Sequence, residues 1–80
     1  MAVSLYARRA PSQDGEVRYE ISGEFDGEAL CVLVIDARRP AVWRMEGGEP
    51  DRMSGSLIAI KALKRFRVTG EWPPRVGHIS

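Results

Sequence analysis

The chain has one cysteine and one histidine, and these absences exclude most metal and disulfide chemistry. Cys31 has no partner for an internal disulfide. No second cysteine or histidine exists to build a zinc site around Cys31 and His78. No glycine pattern matches a phosphate loop, because Gly47-Gly48 lacks the Gly-Lys-Ser/Thr that should follow. The longest uninterrupted apolar run is residues 29–35, far short of the ~20 residues that span a bilayer. The N-terminal stretch lacks the basic leader and long apolar segment of a secretory signal. The formal charge is +1, so no net field draws the chain toward nucleic acid or anionic lipid. No cofactor, metal or membrane association is expected, and the default location is cytoplasmic.

Catalytic groups are equally sparse. His78 stands two residues before the C-terminal serine. A general base must be held rigidly within reach of its proton, so His78 reads as a solvated terminal residue. Cys31 lies within the apolar run and reads as a small buried hydrophobe. Its burial in mid-sheet argues against a Cys31–His78 nucleophile pair. Glu20 and Glu24 share one strand face, but so does Arg18, and an exposed face of this kind is solvated surface. The chain is read as non-enzymatic.

What is present is a balanced globular composition, 44% apolar and 29% charged. Eighty residues allow one domain, and a chain this short buries only about 60–65% of its unfolded surface. Val3, Leu5 and Ala7 alternate with Ser4, Tyr6 and Arg8, which predicts a half-buried first strand. After the turn formers 11–15, Val17, Tyr19, Ile21 and Phe25 fall on one face, with Arg18, Glu20, Ser22 and Glu24 on the other. Asp26-Gly27 predicts a type I′ hairpin turn. A return strand over about 28–36 is apolar on both faces and belongs inside the sheet. A further turn at 36–40, held by Pro40, leads to a short strand over 41–45.

The Gly- and Pro-containing segment 46–51 ends the β portion, and a helix is expected over about 54–67, capped by Ser54 or Asp51. At helical spacing Ile58, Ala59, Ala62, Leu63 and Phe66 form one stripe. Lys61, Lys64 and Arg65 lie opposite with Leu57 among them, and Ile60 and Arg67 mark the borders. Gly70 stops the helix or lies just beyond it. The tail 70–80 is extended through Pro73-Pro74, with Trp72 folding back on the core. Val76 and Ile79 either add a last short strand or fray. The fold class is α+β: an antiparallel meander of about four strands over roughly 3–46, with one C-terminal helix packed on it.

Charge is partitioned along this plan. Residues 12–51 carry ten acids and four bases, a balance of −6, while residues 52–80 carry six bases and one acid, a balance of +5. Complementary charge of this kind raises association rate and specificity toward an acidic protein. The same basic face is also what a solvated helix surface presents, one that attracts the acidic sheet edge or keeps the chain soluble. Among functional readings the leading expectation is a protein-interaction module, an adaptor or inhibitor that masks a partner's surface. Small one-domain inhibitors such as those phages direct against bacterial defence are of this kind. Its candidate contacts are Lys61, Lys64, Arg65, Arg67 and Arg75, with Trp43 or Trp72 as aromatic anchors. Trp72-Pro73-Pro74 reads as a chain stop packed on the core, against a polyproline ligand for an aromatic groove. If the third strand turns Cys31, Leu33 and Ile35 away from the helix, the resulting apolar patch needs a cover, and a second copy of this chain is one candidate. Nucleic acid is the alternative ligand for the same bases. It is disfavoured because Phe66 falls on the apolar stripe and does not interleave with them.

Overall fold

The computed structural model describes residues 4–13, 15–25, 27–47 and 52–79. Among them β1 (Ser4–Ala10), β2 (Glu16–Ser22), β3 (Cys31–Asp36) and β4 (Trp43–Glu46) are followed by α1 (Arg52–Thr69) and β5 (Arg75–Ile79). All pairings are antiparallel and the sheet order is β4-β3-β2-β1-β5. The expected meander is present. The tail adds a fifth strand beside β1, with Ala7 opposite Val76 and Leu5 opposite His78.

Alternation decides which face meets the helix. Leu5 and Ala7 of β1, Val17, Tyr19 and Ile21 of β2, Cys31, Leu33 and Ile35 of β3 and Val76 of β5 are buried together with Ile58, Ala59 and Ala62 of α1. Cys31, Leu33 and Ile35 thus face the helix, and the outward apolar patch considered for them does not form. The opposite set of β3 contains Val34, which is fully buried without any covering element. Register explains it: Val34 lies between Arg18 of β2 and Arg44 of β4, whose apolar stems can lie along the sheet while their charged ends reach carboxylates.

Several boundaries differ from expectation for local reasons. β2 stops at Ser22 because the Ser22 hydroxyl donates to the Glu24 carbonyl at 2.7 Å, a local bond that competes with the ladder. Leu30 N–H still donates to the Ile21 carbonyl at 2.8 Å, and the described residues 23–25 and 27–30 lie outside the strands, so the connection is longer than a two-residue turn. Asp26 lies outside the described residues, and Gly27 is not in the left-handed conformation that a type I′ turn requires. Phe25, expected on the core face, is 65% exposed in this loop. The 36–40 turn is an Asx turn, in which Asp36 Oδ1 accepts from the backbone of Arg38 and Arg39 at 2.9 and 3.2 Å.

The helix starts at Arg52, which puts Ser54 inside its first turn rather than at the cap; Asp51 lies outside the described residues. Gly55 sets the approach of the helix to β4, since a Cβ there would stand 2.5 Å from Met45 Sδ and 3.1 Å from the Trp43 ring. The C-terminal end is Gly70, at φ +79°, whose N–H donates to the Phe66 carbonyl at 2.7 Å.

Candidate functional site

The outer surface of α1 carries the predicted bases. Lys61, Lys64, Arg65 and Arg67 are all exposed, because Ile58, Ala59 and Ala62 on the other side are drawn into the core. Lys61 has a structural task as well, since its Nζ donates to the Gly77 carbonyl at 3.1 Å. Arg9 N–H donates to the Pro74 carbonyl at 2.9 Å, which sets the phase of the β1–β5 ladder. Two-residue alternation then points the Gly77 carbonyl at the free edge of β5. Lys61 therefore reaches over that edge and blunts it. Lys64, Arg65 and Arg67 have no carboxylate within ion-pair distance among the described residues.

Arg75 is not part of this group. It sits opposite Arg8 on the outer face of the sheet, and its guanidinium lies 5.0 Å from the centroid of the Phe25 ring. Phe25 in turn meets Tyr6 edge-on at 6.0 Å. Trp43 and Trp72 are half-buried and pack against the core. The Trp72 ring stacks on Phe66 at 4.6 Å, with 18° between planes.

The Trp72-Pro73-Pro74 segment is a strap. Its three carbonyls accept from Arg9 Nη1 at 2.7 Å, from the Tyr19 hydroxyl at 2.7 Å and from Arg9 N–H at 2.9 Å. A polyproline ligand needs such carbonyls free for its receptor, and here the domain uses them. Burial pushes the Tyr19 phenol up to about 12 against a smaller opposing effect of Arg9, so the hydroxyl remains a donor at any working pH.

The outer face of the sheet is charged but internally matched. Arg8 pairs with Glu20 at 3.0 Å across β1 and β2. Arg18 bridges Glu46 at 2.9 Å and Glu16 at 3.5 Å, and Arg44 bridges Glu46 at 2.9 Å and Glu16 at 3.1 Å. Hydrogen bonds from Arg18 first and Arg44 second hold the Glu46 carboxyl below its ordinary range. Backbone N–H groups, Arg38 first, do the same for Asp36. A hollow of about 390 Å³ at the β3–β4 corner is lined by Glu16, Val34, Asp36, Trp43 and Arg44 among others. Of its charges, Glu16 and Arg44 belong to this network, and Asp36 is held by the Arg38 and Arg39 backbone.

His78 is the residue that sequence reasoning misplaced. It lies in β5 opposite Leu5, on the helix side of the sheet. Its Nδ1 is buried and has no hydrogen-bond partner among the described residues. Cys31 is also buried, but β2 and β1 stand between the strands of the two residues. That separates them by at least about 14 Å, too far for a nucleophile pair. No group of three or more His, Cys, Asp and Glu residues among those described is placed to hold a metal. No helix among them is long and apolar enough to cross a membrane. The chain matches no protein-family model, no curated protein and no solved structure.

Proposed function

We propose that the chain is a small, non-enzymatic, cytoplasmic protein-interaction module, an adaptor or inhibitor that masks an acidic surface of a partner through the outward face of α1. What carries this reading is the contrast in pairing: Lys64, Arg65 and Arg67 stand exposed without carboxylates among the described residues, while Arg8, Arg18 and Arg44 of the sheet are all ion-paired. Unpaired cations on a rigid helix are available to steer and orient an acidic partner. The single cysteine suits a reducing compartment.

Phosphates of nucleic acid would use the same bases. Of the nearby aromatic rings, Phe66 and Trp72 each spend one face on the other, which leaves less surface for stacking bases. The test is capture from the native host with the wild-type chain and with a Lys64→Glu/Arg65→Glu/Arg67→Glu variant, alongside titration of duplex and single-stranded DNA at two salt concentrations. The expected result is a protein retained by the wild type and lost with the variant, with flat DNA curves at low salt. Equal capture by both chains overturns the reading. DNA affinity that falls steeply with salt replaces the protein with nucleic acid.

A further inference from the structure

The outward face of α1 also holds apolar side chains that the domain does not bury. Met53 is 69% exposed, Ile60 51% and Val68 83%, and Leu57 is half-buried on the same side. At about 100° per residue, positions 53, 57, 60, 64 and 68 fall within one narrow stripe. Their spacing of four, three, four and four residues is that of a helix-packing seam. Arg67 flanks the stripe on one side, Lys61 and Arg65 flank it on the other, and Lys64 interrupts it. The stripe runs about 22 Å along the axis, four turns of helix.

From this seam we infer that the partner segment is an acidic amphipathic helix, laid along α1 with its apolar residues on Met53, Ile60 and Val68 and its carboxylates against Lys61, Lys64, Arg65 and Arg67. The inference rests on the protein-binding reading above and specifies its ligand. Charge complementarity selects this occupant. The α1 sequence has five bases and no acid, so a second copy pairing helix to helix would set like charges together across the seam. Duplex DNA offers isolated thymine methyls within its grooves, not a continuous apolar ridge to lie along Met53, Ile60 and Val68. A lipid surface would match both features, but interfacial helices insert Trp, Phe or Leu deeply. Here Phe66 and Trp72 are stacked on each other and Leu57 is packed on the core.

Fluorescence anisotropy with a labelled 18-residue peptide, leucine at the a and d positions and glutamate at e and g, tests this directly. A scrambled peptide of the same composition, phosphatidylserine vesicles and a DNA duplex are the comparisons. The amphipathic peptide is expected to bind at least about tenfold more tightly than its scramble. Ile60→Ser and Val68→Ser are each expected to weaken it severalfold while circular dichroism stays unchanged, since both side chains are exposed. Equal binding of peptide and scramble overturns the seam and leaves the basic-face reading standing. Binding of neither peptide overturns both. Stronger binding to vesicles or DNA than to the peptide overturns the inference in favour of that surface.

Discussion

The two outer faces of this small protein handle charge in opposite ways. On the sheet, Arg8, Arg18 and Arg44 interleave with Glu16, Glu20 and Glu46, so each guanidinium finds a carboxylate across a strand boundary. On the helix, Lys61 and Lys64, Lys61 and Arg65, and Lys64 and Arg67 are neighbours at three- or four-residue spacing, with no acid in the element. Such like-charge neighbours each cost a few tenths of a kcal/mol. The sheet face closes on itself, with Val34 buried in register between Arg18 and Arg44. The helix face accepts a small internal penalty and keeps its cations, and part of its apolar surface, turned outward. Charge content alone does not separate a solvated face from a binding face; whether the charges are matched inside the fold does.

The largest blow to both faces comes from the residue between them. Ile58 is fully buried where α1 meets the sheet, and Ile58→Ala is expected to cost about 2–5 kcal/mol in urea unfolding. In a domain this small that removes much of the stability, and both faces are lost together.

Charge reversal separates the faces. Arg18→Glu breaks two half-buried bridges and leaves Glu16 and Glu46 facing a new anion, a loss on the order of 1 kcal/mol after allowance for solvent screening. Lys64→Glu breaks no ion pair among the described residues, and its stability is expected to stay within about 0.5 kcal/mol of wild type. Thermal melts that rank the two variants the other way would break the comparison.

Acid titration sharpens it further, because the sheet face has carboxylates and the helix has none. Glu46 and Asp36 have folded-state values below their ordinary range. The unfolded chain therefore binds protons first as pH falls, and the stability they contribute is present above the ordinary carboxylate range and lost progressively as pH falls through that range toward their lower folded values. Glu46→Gln is expected to flatten that slope without abolishing it, since Asp36 remains. A smaller effect is expected at His78. His78→Leu removes a buried nitrogen without a partner, so thermal stability should stay level or rise slightly. A clear fall in melting temperature would show that Nδ1 is satisfied after all.

Much of this architecture was legible from residue pattern. The alternation of Val17, Tyr19 and Ile21, the two-sided apolar third strand and the outward placement of Lys61, Lys64 and Arg65 all followed from side-chain periods of two and 3.6. The exposed stripe was half visible, with Leu57 and Ile60 already on or beside the basic face. Only burial revealed Met53 and Val68 as its ends, because the helix runs from Arg52 to Thr69. What periodicity did not reach was long-range pairing. β5 forms only because β1 offers an open edge, and that pairing carries His78 to the helix side and Arg75 to the opposite face.

The amino-acid order by itself determined which segments extend, which one coils and which side of each is apolar, because these depend on local sterics and on a repeat that a few residues establish. Tertiary structure alone decided which apolar set of β3 the helix covers, which arginines find carboxylates and where Trp72-Pro73-Pro74 is strapped. Those outcomes depend on groups far apart in the chain, brought together only when the sheet assembles.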